Sequence, residues 1–383
     1  MTALPVGYPL TRQPLALGQH LKLRNRVYFA PMGIDLAQDG CLTPQMLDFY
    51  QGIIRGGCAM AVLANSSVDA STRLHARGLG LYTEHQAQCL APLIEFGQQH
   101  QCPVVVQLQH YGAQGNAQLG GAALLAPSRG NGTPATPATA RVMTHADARE
   151  VCMQFAQAAL LAQRAGARMV QLQASNGYLL SSFLSPYTNR RTDRYGGSPL
   201  RRARLLLEVI DHIHQATHGE LDISVRLGID DCLGARGQRP ELLEHVVPAL
   251  EQAGVVALMG SISIRETFHY MLRADVQVQA AFIQGVRHLR QLTSLPVGFA
   301  GFTGSLAHAE ALLGEQVCDL VGMSRALFAD NQLVNKSLAG HAAQVTACRF
   351  EGHCFRDKSN PQLDRVYCCV NEQYKRPASI RYD

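Results

Sequence analysis

The chain has no tryptophan, and aromatic residues make up only 6% of it. Charged residues reach 16%, and a net charge of +5 is slight for 383 residues. Lysine and arginine are scattered, in clusters no longer than Arg190-Arg191 and Arg201-Arg202, so no basic stripe marks a nucleic-acid surface. No apolar run approaches the roughly 20 residues that span a bilayer. Met1 to Leu10 lacks the basic-then-apolar order of a secretory signal. These absences predict a cytoplasmic protein without nucleic-acid or membrane partners, whose 11 cysteines stay reduced. Most of them, such as Cys58 and Cys102, sit singly in apolar stretches and read as small buried hydrophobes. No Gly-x-Gly-x-x-Gly opens any helix-like segment, which removes the main support for an open doubly wound sheet.

What the chain does have is aliphatic bulk, at 47% hydrophobic residues, and a regular alternation. Short apolar runs read as strands at Val27–Met32, Met60–Ala64, Val104–Leu108, Met169–Leu172, Ile223–Leu227, Val255–Met259, Val297–Ala300 and Leu320–Met323. Each is too short and too apolar to face water on either side, as in a parallel sheet buried on both faces. Helical patterns lie between them at Thr83–His100, Ala146–Ala165, Pro199–Thr217, Pro240–Ala253 and Val276–Leu292. Gly166, Gly219 and Gly254 stand where C-cap glycines belong. Eight such units predict an α/β fold, a (β/α)8 TIM barrel over residues 1–340, with a short cysteine-containing extension at 341–383. Two connections are long, Gln109–His145 and Gly260–Asp275. The stretch Gly130–Ala140 reads as a mobile part of the first.

Chemistry in such a barrel belongs just past the C-terminal strand ends. The third strand runs into Gln107-Leu108-Gln109-His110-Tyr111-Gly112, and the fourth into Gln173-Ala174-Ser175-Asn176-Gly177-Tyr178. The fifth ends in Val225-Arg226-Leu227, the seventh in Ala300-Gly301-Phe302 and the eighth in Met323-Ser324-Arg325. This ring holds amides, a phenol and two guanidinium groups, with no carboxylate pair and no serine beside a histidine. Such donors suit an electron-rich, anionic, planar ligand better than hydrolysis. Gly301, a helix starting near Leu306 and the charge of Arg325 suit a phosphate. One glutamine or tyrosine at a strand end is usually a satisfied surface group. The joint placement carries the weight.

Several segments then resemble the old yellow enzyme superfamily. They are Leu21–Val27 followed by Ala30-Pro31-Met32, the element Ala126-Pro127-Ser128, and the run from Gly177-Tyr178 through Ser185-Pro186, Asn189–Asp193 and Tyr195–Ser198. The resemblance covers nearly the whole chain. It implies a noncovalent FMN lying along Pro31, Met32 and Gly33, with Asn65, Gln107 and Arg226 as further contacts and NAD(P)H as a reductant. Arg226 at the pyrimidine edge would stabilise the negative charge of the reduced ring. Gly301, Ser324 and Arg325 would hold the phosphate. Tyr178 matches the family's proton donor, a phenol with an ordinary pKa of roughly 10. Gln173 and Asn176 stand where the family grips a substrate carbonyl, although Gln173 replaces a histidine and cannot supply an imidazolium. Gly33 and Ser324 also depart from the family pattern.

Phe328-Ala329-Asp330, Lys336, Gly340 and the terminal Cys-x-Val-Asn resemble the branch of 2,4-dienoyl-CoA reductase and trimethylamine dehydrogenase. That branch carries a [4Fe–4S] cluster on four cysteines. Here Cys348, Cys354 and Cys368 match three, the fourth position falls at Phe350 or Glu351, and adjacent Cys369 cannot easily fill it. An intact cluster is therefore doubtful. Buried free thiols are favoured, and a zinc site using His353 is an alternative. Those relatives continue into nucleotide-binding domains, which this sequence does not include. Arg265 stands near the position of the dienoyl-CoA reductases' catalytic histidine. The leading functional expectation is FMN-dependent reduction of an activated C=C bond in a small molecule. Alternatives are amine or N-methyl oxidation, and a flavin-binding partner protein that has lost its chemistry. Homo-oligomers and an electron-transfer partner stay open.

Overall fold

Eight parallel strands close on themselves in the computed structural model, which describes residues 7–130, 132–358 and 366–375. They are β1 (Val27–Phe29), β2 (Met60–Ser67), β3 (Val104–Gln109), β4 (Met169–Ala174), β5 (Asp222–Asp230), β6 (Val255–Ile262), β7 (Val297–Phe299) and β8 (Leu320–Met323), in spatial order around the ring. The fold is the (β/α)8 barrel that the alternation predicts. Between the strands run α1 (Pro44–Arg55), α2 (Glu84–Gln99), α3 (His145–Arg164), α4 (Arg204–Ala216), α5 (Val246–Gln252), α6 (Val276–Gln291) and α7 (Leu306–Gly314), with α8 (Leu333–Leu338) after β8. No helix among the described residues is long and apolar enough to cross a membrane.

Local chemistry sets these limits. Thr83 with Gln86, and Thr144 with Asp147, form capping boxes that start α2 and α3. Gly166, Gly219 and Gly254 follow helices with φ of +97°, +71° and +88°, a region other residues enter only at a cost. Two expected helices are broken. Pro199–Arg202 ends at Ala203 before α4 begins, and the buried Arg202 side chain donates to the Leu184 carbonyl at 2.7 Å. Pro240–Leu243 is a 3₁₀ turn that precedes α5. Several strands run past their expected ends, β2 to Ser67 and β5 to Asp230, as polar residues join the barrel rim.

The bottom of the barrel is plugged by a hairpin, Leu15–Leu17 with Leu21–Leu23. Its leucines join Met60, Val105, Met169, Ala257 and Leu320 in a closed apolar layer. Gly18, at φ +60°, makes the turn, because a Cβ there would meet the Asp222 carboxylate at 2.5 Å. That carboxylate in turn accepts from the His20 N–H at 3.1 Å. Above this layer the interior becomes polar. Parallel register sets Gln107 beside Gln171, and Gln173 beside Arg226, all facing the C-terminal mouth.

The cysteines depart from expectation at one point. Cys58, Cys102, Cys152 and Cys318 are buried free thiols, but Cys41 and Cys89 are paired as a disulfide with Cα atoms 5.6 Å apart. The extension folds back on the barrel. Thr346 N–H donates to Asp330, Asn371 Nδ2 donates to the Phe328 carbonyl at 2.7 Å, and Tyr374 meets Phe49 edge-on and Phe328 at a tilt.

Candidate active site

Pro31, Met32, Gly33, Asn65, Gln107, Gln173, Asn176, Tyr178, Arg226, Gly301, Ser324 and Arg325, singled out at seven different places in the sequence, all line one cavity. It lies at the C-terminal mouth and encloses about 1210 Å³ counted to its open edge. Its floor is the polar layer of the barrel. Arg226 on β5 is 5% exposed, forms no ion pair among the described residues, and leaves Nη1 without a partner. Burial lowers its pKa, and the nearby Tyr28 and Tyr178 hydroxyls oppose that shift. A guanidinium buried without a counter-charge is costly, so the site is built for an electron-rich group. In the same cavity, Gln107 donates Nε2–H to Gln171 at 2.8 Å, and its own Oε1 is left unsatisfied.

At the wall formed by the β4 turn, Asn176 has φ +60° and Gly177 φ +75°. A Cβ at Gly177 would meet Gln114 Nε2 at 2.6 Å, so glycine is required where that amide donates to the Asn176 carbonyl. This tight turn delivers Tyr178 half-buried into the cavity at the head of the short helix Leu179–Leu184. Its ring lies edge-on to Tyr111 at 5.2 Å. Tyr111 hydrogen-bonds Asn65, and burial holds its hydroxyl protonated well above the ordinary range. Ser175 Oγ donates to Gln173 Oε1 at 2.7 Å, which leaves the Gln173 amide N–H₂ as a donor on the cavity side. Asn176 Nδ2 donates to the Ile262 carbonyl on β6 at 3.0 Å and approaches the Ser263 carbonyl at 3.5 Å, so it ties two strands together while lining the cavity.

The far end is cationic. Arg325 donates to the Leu272 and Met271 carbonyls and packs against two neighbouring rings, 4.5 Å from Phe302 and 5.0 Å from Phe350. No carboxylate pairs with it among the described residues, and burial lowers its pKa. Phe350 comes from the extension and was not foreseen, because only the folded-back tail brings it here. Phe268, Tyr270 and Met271, in the long loop after β6, also line the cavity. Their signal was the loop's length. Arg265 in the same loop is exposed and lies outside the cavity.

The run Asn189–Asp193 does structural work. Arg191 donates to the Pro127 and Met143 carbonyls, Arg190 N–H donates to Ser128, and Asn189 Nδ2 donates to Phe183 and Tyr195 carbonyls. It therefore pins the long third loop to the segment that carries Tyr178. The stretch around Gly130–Ala140 is likewise anchored, with Ala135 N–H donating to Glu266 at 3.0 Å.

A family model described as the NADH:flavin oxidoreductase / NADH oxidase family matches residues 12–344. The chain belongs to that family. A metal reductase of Desulforamulus reducens is 31% identical over 94% of this chain, which covers 53% of that protein. An NADPH dehydrogenase of Bacillus subtilis is 28% identical over 81% of this chain and 89% of its own length. The solved complex of 2-naphthoyl-CoA reductase superposes with a TM-score of 0.86, at 21% identity, over 96% of this chain and 58% of that one. The chain thus spans about half the length of the metal reductase and most of the NADPH dehydrogenase.

FMN is the cofactor of NADH:flavin oxidoreductases, and the residues here fit it. Arg226 Nη1 and Gln107 Oε1 are an unmet donor and an unmet acceptor on residues that line the same cavity. Gly322, whose Cβ would meet the Tyr28 ring at 2.6 Å, and Gly301 line the cavity without side chains that would fill it. Cys354 reaches the cavity edge, and Cys348 and Cys368 lie near enough to interact with it electrostatically. Phe350 and Glu351 occupy the stretch where a fourth cluster thiolate would stand.

Proposed function

We propose that this chain is an FMN-dependent, NAD(P)H-linked reductase of a C=C bond conjugated to an electron-withdrawing carbonyl. FMN supplies the two-electron hydride chemistry between a nicotinamide and the substrate. Arg226 and Gln107 would hold its pyrimidine edge, and Gly301, Ser324 and Arg325 its phosphate. Gln173 would donate its amide N–H to the substrate carbonyl and draw electron density from the double bond. Tyr178 Oη would give its proton to the substrate carbon. The buried guanidinium of Arg226 interacts favourably with an ionised Tyr178, so it lowers the cost of leaving a phenolate.

The observation that supports this most is the meeting, in one cavity, of an uncompensated Arg226 with a half-buried Tyr178 and a free Gln173 donor. Stopped-flow measurement of Tyr178→Phe tests it. Reduction of the bound flavin by NADPH should stay near wild type, while its reoxidation by an enone such as 2-cyclohexenone should slow by about 10²–10⁴. Undiminished reoxidation in the variant would remove Tyr178 from the role.

A further inference from the structure

Away from the flavin cavity, two segments bring three metal-type ligands together at the start of α2. Cys41 closes the tight Gln38–Cys41 turn ahead of α1, and His85 and Cys89 stand one helical turn apart on α2. His85 Nε2 lies 3.7 Å from Cys89 Sγ, and the three ligand atoms lie within 4.8 Å of one another. Contacts independent of sulfur hold this meeting in place. Gln86 Nε2 donates to the Asp39 carbonyl at 3.1 Å, its Oε1 accepts from the Tyr82 and Thr83 N–H groups, and Gly80 N–H donates to Gly40. The turn would therefore stay on the helix end with the disulfide broken. Both cysteines are half-buried and His85 is exposed, so solvent reaches the site.

We propose that Cys41, His85 and Cys89 in the dithiol state form a site for a thiophilic divalent cation of the Zn²⁺ class, and that the disulfide is its closed, metal-free form. Two sulfurs and one imidazole supply three corners of a tetrahedron, and water takes the fourth. The switch balances. A dithiol reductant gives two electrons and two protons, the Cys41–Cys89 bond breaks, and the reductant leaves as its own disulfide. The cation then displaces the two thiol protons and binds both thiolates and neutral Nε2. None of the three residues lines the flavin cavity, so the site is separate from the chemistry proposed there.

The test uses the full chain, stripped of metal, reduced with a phosphine under nitrogen, and titrated with Zn²⁺ against a chromophoric chelator. Reduced wild type should bind one equivalent more than reduced Cys41→Ser. Diamide-oxidised wild type should fall to the Cys41→Ser level, and reduced His85→Ala should bind about tenfold or more weakly. Unchanged melting temperatures and NADPH oxidation would show that the variants fold. Because Cys41→Ser keeps the tail cysteines, equal uptake by reduced wild type and Cys41→Ser would overturn the proposal. So would uptake that oxidation leaves unchanged.

Discussion

Arg226 shows how a single residue can be placed against the stability of its own fold. Its side chain is buried, one of its nitrogens has no partner, and burial disfavours its charge. A methionine of similar length would remove that cost in the flavin-free protein. Arg226→Met should therefore make the stripped protein more stable by about 1–4 kcal/mol. The same change should weaken FMN binding by about tenfold to a hundredfold, the worth of a hydrogen bond to a charged group. Thermal melts of the flavin-free protein and a fluorescence titration with FMN read the two effects separately. Opposite signs are the expected result, and a loss of both stability and affinity would make Arg226 a structural residue. The sequence showed Arg226 at a strand end. It could not show the missing counter-charge, which depends on what seven other strands bring to the barrel interior.

Asp231, just past β5, joins three elements. Its carboxylate accepts from Ser185 Oγ and from Gln238 N–H at 2.8 Å, and its carbonyl accepts from Thr267 Oγ1 at 2.7 Å. Burial pushes its pKa up to about 6, the two hydrogen bonds pull it down, and the nearby Asp230 and Glu266 carboxylates push it up again. A carboxyl raised above its unfolded value of roughly 4 favours the fold when protonated. Its contribution is full below roughly pH 4 and is lost as pH rises through about 6, up to about 3 kcal/mol. Asp231→Asn cannot ionise. Melting temperature should fall between pH 4.5 and 7.5 more steeply in wild type than in the variant, and parallel profiles would reject the assignment. At this scale much was legible. Strands buried on both faces announce themselves as short apolar runs, and C-cap glycines end helices for a local reason. The role of Arg202 was hidden, because its side chain reaches a carbonyl eighteen residues earlier. The bond made by Asn176 was hidden for a similar cause, since its donor goes to a strand that follows it by 86 residues.

The whole molecule adds what neither barrel nor tail holds alone. The barrel supplies Arg325 and Phe302, and the tail supplies Phe350, whose ring lies 5.0 Å from the guanidinium and 5.5 Å from Phe302. Asn371 and Tyr374 fasten the tail to Phe328 and Asp48, so the ring stays in place at the cationic end of the cavity. The sequence pattern drew attention to the cysteines of this segment. Phe350, standing in the stretch of the absent fourth thiolate, reaches the cavity together with Cys354 and Phe355. Its signal was invisible, since two residues 25 apart along the chain meet only through the tail's return path. A stacked ring contributes about 1 kcal/mol to a partly desolvated guanidinium and keeps its fork aimed. Phe350→Ala should therefore raise the dissociation constant for FMN by about fivefold. Turnover at saturating FMN should stay near wild type, because Phe350 is proposed only to hold Arg325. Titration of the flavin-free variant, followed by NADPH oxidation with FMN in excess, separates the two quantities. If turnover fell while FMN affinity stood still, the tail would be acting on the substrate and not on the phosphate end.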